Sequence, residues 1–216
     1  MKKVIAFSLW GSNPKYTIGL IKNLDLAKII YPDWVCRIYC GISVPQEIIK
    51  EINLKDNKEL IIMNEHGNWE GMFWRFYAAE DADVMISRDT DSRLTYREKQ
   101  AVDEWLKSDK LFHIMRDHPY HGTEILGGMW GVKAPILKNI KQLIQAYKKG
   151  DFYQVDQNFL REKIYPLVYN TSFVHDEFFD KKPFPTKRKN YEFVGQVFDE
   201  NDVTVNEHIE VLKRFL

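Results

Sequence analysis

Short apolar runs alternate with helical patterns along the first 90 residues of this 216-residue chain. The runs lie at residues 4–9, 35–42, 60–63 and 84–87, and each is continuous and bounded by turn-forming residues. Such runs are typical of strands buried on both faces of a sheet. Alternating strands and helices form right-handed βαβ units, so we predict an α/β fold with a Rossmann-like, mixed but mostly parallel sheet flanked by helices.

The second half of the chain is less regular but gives no sign of a separate domain. Further strands are predicted at residues 112–115, 125–133 and 173–174, and helices at 96–106, 136–147, 154–164 and 205–216. No internal repeat, low-complexity tract or linker interrupts these patterns. A chain of this length can bury about 70% of its unfolded surface around one core. We therefore predict a single domain spanning residues 1–216.

The composition argues against several classes of protein. Lys and Arg number 31, as do Asp and Glu, and a nucleic-acid-binding protein normally carries a basic excess instead. No window approaches the roughly 18 uncharged apolar residues of a membrane span, so we expect no transmembrane segment. Cys36 and Cys40 lie four residues apart in a predicted strand, roughly 13 Å from each other and beyond disulfide reach. Two buried, reduced thiols predict a cytoplasmic protein.

Two acidic residues, Asp89 and Asp91, follow the fourth predicted strand. Ligands of α/β proteins bind beyond the carboxyl ends of parallel strands, and carboxylates two positions apart in extended chain point the same way. Such a pair can hold a hard divalent cation and leave coordination positions for diphosphate oxygens. The alternative is a polar turn after a strand. Arg93, Leu94 and Gln100 stand where haloacid dehalogenase phosphatases and EF-hands need other residues, which excludes both motifs.

Four motifs follow one another in an order known from one family of enzymes. They are Asp89-Thr90-Asp91, Ile125-Leu126-Gly127-Gly128-Met129-Trp130-Gly131, Asp156-Gln157-Asn158-Phe159-Leu160 and a late His175. In this order the chain resembles metal-dependent nucleotide-sugar glycosyltransferases of the GT-A fold, most closely retaining enzymes such as glycogenin and bacterial lipooligosaccharide galactosyltransferases. Residues 72–76 and 113–119 also resemble small glycosyltransferase domains of bacterial polysaccharide loci and large algal viruses. The resemblance covers nearly the whole chain.

The resemblance implies a metal site that bridges the donor diphosphate. Asp89 and Asp91 would bind Mn²⁺ or Mg²⁺, with Thr90 in the same donor-binding segment. His175 would be a third ligand supplied late in the chain, since a neutral imidazole is a reasonable ligand for manganese. The alternative for His175 is a strand-end histidine hydrogen-bonded to Asp176.

The resemblance also assigns residues to the rest of the donor. The residues after the first strand that would seat the uracil and ribose are Ser8, Leu9, Trp10 and Gly11, although Trp10 is as plausible in the core. Arg75 would reach the donor sugar or phosphate, unless it forms an ion pair with Glu80 or Asp81. The basic loop 181–189, which contains Lys187, would close over the diphosphate, unless it is an ordinary solvated loop.

The remaining implied roles concern the sugar and the acceptor. Asp156 and Gln157 would lie beneath the sugar, where the nucleophile or acceptor approaches, unless they form a solvated helix N-terminus. Gly127 and Gly128 would let the backbone approach a ligand closely, with a β-bulge as the alternative. If the reaction inverts the anomeric carbon, Asp117 or Asp156 would have to act as the general base.

The expected activity is therefore a divalent-metal-dependent, retaining hexosyl- or deoxyhexosyltransferase. It would move a sugar from a nucleoside diphosphate sugar, with UDP the expected nucleotide, to a hydroxyl of a glycan acceptor. Residues 1–93 would form the donor half and residues 94–216 the acceptor half with the closing loop, while the oligomeric state stays open. One alternative is a nucleotide-sugar-binding module without transferase activity. Another is a sugar-phosphate nucleotidyltransferase, although residues 11–15 contain only one glycine of the glycine-rich basic signature of that class.

Overall fold

The computed structural model describes residues 1–134, 136–147 and 150–216. In this part of the chain the strands are β1 (Lys3–Leu9), β2 (Val35–Gly41), β3 (Lys58–Met63), β4 (Val84–Ser87), β5 (Phe112–Arg116), β6 (Trp130–Lys133) and β7 (Ser172–Asp176). The α-helices are α1 (Pro14–Ile30), α2 (Gln46–Asn53), α3 (Tyr96–Lys107), α4 (Ile140–Ala146), α5 (Val155–Phe159), α6 (Tyr165–Val168) and α7 (Asn206–Phe215). Two 3₁₀ helices (Trp69–Glu80 and Tyr169–Thr171) and a π-helical turn (Leu160–Ile164) complete the described secondary structure.

The strands form one mixed sheet in the order β3-β2-β1-β4-β6-β5-β7. Strand β6 is antiparallel to both of its neighbours, whereas the other adjacent strands pair in parallel. The predicted mixed, mostly parallel sheet is therefore confirmed. The chain runs from β1 outward to β3 and then crosses to β4 on the other side of β1. The carboxyl ends of β1 and β4 thus form a topological switch point, where open α/β sheets bind ligands.

Both faces of the sheet are buried, which is why its central strands are continuous apolar runs. Along β1, Ile5 and Phe7 face a core shared with α1, α2 and α3. Val4 and Ala6 face the opposite core, shared with the long 3₁₀ helix, α4 and α5. Cys36 and Cys40 are buried free thiols, as predicted.

The segment predicted as a strand at 125–133 is a strand only from Trp130 to Lys133. Residues 125–129 form a turn instead, because the Ser87 hydroxyl donates a 2.7 Å hydrogen bond to the Gly127 carbonyl and holds this segment at the end of β4. Of the apolar side chains that suggested a longer strand, Ile125 and Met129 are nevertheless buried and Leu126 is partly buried. The run of apolar residues therefore predicted burial of this segment correctly, but the predicted strand was too long.

No helix in the described ranges has the length and apolar character needed to cross a membrane.

Candidate functional site

A cavity of about 710 Å³ opens at the switch point, beyond the carboxyl ends of β1 and β4. The residues that line it from the predicted site are Ser8, Leu9, Trp10, Gly11, Arg75, Asp89, Thr90, Asp91, Gly127, Asp156 and Gln157. They come from segments far apart in the sequence: the β1 loop, the long 3₁₀ helix, the β4 loop, the turn before β6 and the start of α5. The fold therefore brings most of the predicted donor-site residues to one surface.

The guanidinium of Arg75 is an almost completely buried positive charge at the cavity, with a side chain that is 3% exposed. It bonds the carboxylates of Asp89 and Asp156, the latter at 3.0 Å, and donates to the Arg88 carbonyl at 3.2 Å. Burial opposes the charge of Arg75, but the two carboxylates outweigh it and raise the arginine's pKa. The backbone of Arg75 is also held, because its N–H donates to the Ser8 hydroxyl at 3.0 Å. Arg75 is thus a fixed bridge between two carboxylates, and not the partner of Glu80 or Asp81.

Asp156 is completely buried, although it lies at the cavity wall. Burial raises the pKa of its carboxyl, and the charge of Arg75 opposes that shift. One oxygen, Oδ2, accepts from Arg75, whereas Oδ1 is buried without a hydrogen-bond partner among the described residues. A buried carboxylate oxygen without a partner is costly, so a bound group or water that donates to Oδ1 would relieve that cost.

The second aspartate of the motif, Asp91, pairs with a lysine that the sequence did not single out. The Lys15 ammonium lies 2.8 Å from Asp91 Oδ2, and both side chains line the cavity. Burial and the neighbouring charge of Asp89 raise the pKa of the Asp91 carboxyl. Burial disfavours the charged form of Lys15, but the hydrogen bond and the negative charge of Asp91 outweigh this effect and raise the pKa of the lysine. Nothing in the sequence indicated which face of α1 would carry this lysine.

The loop that carries the aspartates is fixed from beneath by α1. The buried Asn23 amide donates to the carbonyls of Thr90 (3.2 Å) and Ser92 (2.8 Å), and its oxygen accepts from the Leu94 N–H (3.0 Å). A β-carbon on Gly19 would collide with the Thr90 carbonyl, so only glycine lets the helix approach this closely. The motif is therefore a rigid, supported turn rather than a mobile loop.

Two glycines let the turn before β6 pack against the charged groups. A β-carbon on Gly127 would stand 2.6 Å from Arg75 Nη2 and would also meet Asp156. A β-carbon on Gly128 would stand 2.9 Å from the Asp89 nitrogen, with the Asp89 carboxylate closer still. Gly128 is therefore a packing position against Asp89, whereas Gly127 is itself part of the cavity lining.

The donor set fits a hard divalent cation that shares its coordination shell with a substrate. Arg75 pairs with Asp89 Oδ1, and Lys15 pairs with Asp91 Oδ2. Each of these ion pairs thus involves one of the two oxygens of the aspartate carboxylate. Among the described residues, no group of three or more His, Cys, Asp or Glu side chains is placed to hold a metal. Two carboxylates completed by phosphate oxygens and water are the usual arrangement for Mg²⁺ at a phosphate site.

His175, expected as a third metal ligand, lies away from this cavity. Its Nδ1 is 2.8 Å from His113 Nε2, and its Nε2 is 2.9 Å from Glu104 Oε2. Strand β7 pairs with β5, which places His175 within the sheet with only 1% exposure. Both ring nitrogens are therefore engaged in internal hydrogen bonds. The late histidine that does line the cavity is His208, on α7.

Asp117, the alternative general base, is also placed away from the cavity. It is completely buried, and its carboxylate accepts from Arg97 (2.9 Å), Arg188 (2.7 Å) and the Val194 N–H (2.8 Å). With this many donors the carboxylate has no access to a substrate hydroxyl. Asp117 therefore links Arg97 of α3 to Arg188 and Val194 of the C-terminal segment through buried hydrogen bonds.

Lys187, expected to contact the diphosphate, is exposed and is not one of the described residues that line the cavity. Its loop is held elsewhere: the Arg188 guanidinium bonds Asp117, Phe184 is buried, and Asp176 and Lys182 form a backbone bridge. The C-terminal wall of the cavity comes instead from later residues, which are Gly195, Val197, Val205 and His208.

Trp10 lies between the core and the cavity. Its ring makes an edge contact with Trp74 at 6.1 Å and packs against Gly67 and Gly71, while the half-buried side chain also lines the cavity. Three exposed aromatic residues at the same cavity were not anticipated from the sequence, namely Tyr16, Trp69 and Tyr153. Tyr16 and Tyr153 belong to no periodic apolar pattern. Trp69 begins an apolar helical pattern with Met72, Phe73 and Phe76, which predicts burial rather than a place in a cavity wall.

No protein-family model and no curated protein matches the sequence. Among solved structures, a glycosyltransferase involved in the glycosylation of the major capsid of PBCV-1 matches with a TM-score of 0.55 and 14% identity, over 99% of this chain and 100% of that one. Glucosyl-3-phosphoglycerate synthase from Mycobacterium tuberculosis, solved with Mn²⁺, UDP and phosphoglyceric acid, matches with a TM-score of 0.52 and 12% identity, over 80% of this chain and 67% of that one.

A third match has a different chemistry. The 4-diphosphocytidyl-2C-methyl-D-erythritol synthase from Anaerococcus prevotii matches with a TM-score of 0.51 and 11% identity, over 99% of this chain and 97% of that one. At these identities the similarity concerns the fold alone. The chain has an α/β, Rossmann-like fold of the type found in GT-A glycosyltransferases and in a nucleotidyltransferase.

Proposed function

We propose that this protein is a glycosyltransferase that transfers a sugar from a nucleoside diphosphate sugar, with UDP as the nucleotide, to a hydroxyl of a glycan acceptor. The observation that carries the proposal is the bridge formed by the buried Arg75 between Asp89 and Asp156 in the cavity at the switch point. It joins the acidic motif, which suits a metal diphosphate, to a carboxylate with an unpartnered oxygen. The glycosyltransferases of similar fold support the same activity.

In this proposal Asp89 and Asp91 hold Mn²⁺ or Mg²⁺ together with the donor diphosphate. The cation would neutralise the charge that develops on the departing nucleoside diphosphate. Arg75 keeps the Asp89 carboxylate in position, so the acidic pair does not need to rearrange when the donor binds. The residues of β1 and its loop, from Ser8 to Gly11, form the adjoining wall of the cavity and would receive the nucleoside.

The second half of the chain would present the sugar to its acceptor. Asp156 and Gln157 lie at the start of α5 and line the same part of the cavity wall as Gly127. We propose that the Asp156 carboxylate faces the reacting sugar and that the anomeric configuration is retained. This assignment leaves residues 1–93 as the donor half and residues 94–216 as the acceptor half of one domain.

A second candidate function is a nucleotidyltransferase, which one of the structural matches favours. The two activities use different substrates and leave different products. A glycosyltransferase releases a nucleoside diphosphate from a nucleotide sugar, whereas a nucleotidyltransferase releases pyrophosphate from a nucleoside triphosphate and a sugar phosphate. Incubation with each pair of substrates, with analysis of both products, distinguishes the two functions.

The test of the proposal is a screen of nucleotide sugars for metal-dependent release of UDP, with and without glycan acceptors. The double variant Asp89→Asn/Asp91→Asn should lose turnover by about 100-fold or more, the size of effect typical of a lost electrostatic contact to developing charge. It should also lose the thermal stabilisation that UDP with Mn²⁺ gives the native protein. Asp33→Asn is the matched control, because Asp33 is exposed beside the amino end of β2. Unchanged metal-dependent turnover in the double variant would refute the assignment.

A further inference from the structure

Lys15 is a charged residue of the cavity to which the proposed function assigns no role. It lies in the first turn of α1, directly after the β1 loop, and its ammonium pairs with Asp91 at 2.8 Å. The side chain is 31% exposed, and Asp91 is its partner among the described residues. This lysine therefore stands where a divalent cation would approach the acidic pair.

The formal charges around the acidic pair show why a cation is needed there. Asp89, Asp91 and Asp156 contribute three negative charges, and Arg75 and Lys15 contribute two positive charges. The sum is −3 + 2, or −1, before a donor diphosphate brings further negative charge. A divalent cation that enters with the diphosphate offsets most of the negative charge that the diphosphate adds.

The two basic residues differ in how easily they can move. Arg75 is almost completely buried and bonds two carboxylates and a carbonyl, so it cannot leave without exposing several buried groups. Lys15 has one carboxylate partner, is partly exposed and carries its charge on a flexible four-carbon stem. Of the two, Lys15 is the cation that can exchange.

We propose that Lys15 is the exchangeable counter-ion of the donor site. In the free protein it neutralises Asp91, and when the metal and the nucleoside diphosphate enter it yields Asp91 to the metal and pairs with a diphosphate oxygen. This inference rests on the proposed donor site. Lys15 and Asp91 line the same cavity, so the ammonium already lies in the site that the diphosphate would enter.

The proposal predicts two effects of opposite sign when the lysine charge is removed. Lys15→Met keeps the length of the stem and deletes the charge, so a competitor of the metal disappears from Asp91. We expect the free protein to bind Mn²⁺ about 3- to 10-fold more tightly, a range typical of a partly exposed charge pair. We expect UDP to bind about 3- to 10-fold more weakly at saturating Mn²⁺, because one diphosphate contact is lost.

The experiment measures Mn²⁺ binding to the free protein by electron paramagnetic resonance, and UDP binding at saturating Mn²⁺ by calorimetry. Lys22→Met is the matched control: Lys22 lies on the same helix and pairs with Asp202 at 2.6 Å, and it is not one of the described cavity-lining residues. Lys15→Arg should keep UDP affinity within about 3-fold of the parent protein, because it keeps the charge. Neither affinity should change in the Lys22 variant.

Two results would overturn the proposal. Unchanged or weaker Mn²⁺ binding in Lys15→Met would show that the lysine does not compete with the metal. Tighter Mn²⁺ binding with unchanged UDP affinity would show that it does not contact the diphosphate. Failure of the proposed function is distinguishable, because the parent protein would then bind no UDP with Mn²⁺, whereas the effect of Lys15→Met on Mn²⁺ binding to the free protein reports on the acidic pair and Lys15 without any nucleotide.

Discussion

Two aspartates of this protein, Asp117 and Asp156, are both completely buried, yet their surroundings differ. Asp117 accepts from two arginines and a backbone N–H, so its charge is compensated within the protein. Asp156 has one arginine partner, and its Oδ1 has no hydrogen-bond partner among the described residues. Burial is therefore the same for the two carboxylates, and they differ in how many hydrogen bonds compensate it.

Replacement of Asp117 tests its structural role. Asp117→Asn keeps the shape of the side chain but leaves Arg188 without its buried counter-charge and Arg97 with Glu177 as its carboxylate partner. Breaking a buried charge pair in this way costs about 3–5 kcal/mol of unfolding free energy, which denaturant titration measures. Protein that remains folded should bind UDP as the parent does. Lost turnover with unchanged stability would instead indicate a catalytic base.

At this scale the sequence predicted residue types better than it predicted contacts. Asp89 and Asp91 could be placed at the site because they follow a strand end, where α/β sheets bind ligands, whereas Arg75 was assigned to the site only through the family resemblance. His175 could not be placed, because only the pairing of β7 with β5 decides that its ring meets His113 and Glu104. Lys15 was missed for a similar reason, since a lysine early in a helix normally extends into solvent.

At the scale of elements, helix α1 does more than cover the sheet. Its inner face carries Gly19 and Asn23 at the point where the helix meets the acidic loop, so one element determines both core packing and the position of the aspartates. Neither residue contributes a group to the cavity lining among the described residues. Gly19 and Asn23 therefore act on the site through the backbone of Thr90 and Ser92, whereas Lys15 of the same helix lines the cavity directly.

Asn23→Ala tests this support. The change leaves the carbonyls of Thr90 and Ser92 and the Leu94 N–H without their buried partner, and the unfolding free energy should fall by about 2–3 kcal/mol. Mn²⁺ affinity should also fall although both aspartates are intact, because the loop is no longer held. Denaturant titration and Mn²⁺ titration measure the two effects. Asn53→Ala, at the exposed end of α2, is the control, and equal losses in both variants would contradict the proposed support.

Prediction at the element scale succeeded where burial imposes a simple pattern. Strands β1, β2 and β4 are close to their predicted positions because apolar side chains are needed on both faces of a parallel sheet. The apolar run also located β3, although this edge strand is only partly buried. Residues 125–129 were assigned to a strand because their side chains are apolar, and the contact of Gly127 with Ser87 that turns them is not local in sequence. Contacts between distant segments, rather than propensities, account for the difference.

At the scale of the whole molecule, several histidines are buried in their neutral form. The sequence contains 6 histidines, and burial lowers the pKa of His113, His118, His121 and His175. His113 is completely buried, stacks on Trp105 and faces His175, Arg88 and Lys133, so the protonated form is strongly disfavoured there. These neutral imidazoles belong to the packed second half of the chain, where the sheet meets the C-terminal segment.

This arrangement predicts that acid destabilises the fold well before the carboxylates protonate. An unfolded histidine binds a proton below about pH 6.5, whereas the same residue buried in the native state does not. The unfolded state then binds more protons, so stability is fully present above about pH 6.5 and is lost as the pH falls below it. Each such histidine contributes up to about 1.4 kcal/mol per pH unit to the slope.

Denaturant unfolding at a series of pH values between 7.5 and 5 tests this prediction about the whole molecule. His113→Gln should reduce the slope of stability against pH by up to about 1.4 kcal/mol per pH unit, although the variant is less stable at pH 7.5 because its contacts with Trp105 and His175 are lost. His66→Gln changes an exposed residue and is the matched control. If both variants kept the slope of the parent protein, protonation of His113 would not contribute to acid unfolding, and His118, His121 and His175 would have to account for it.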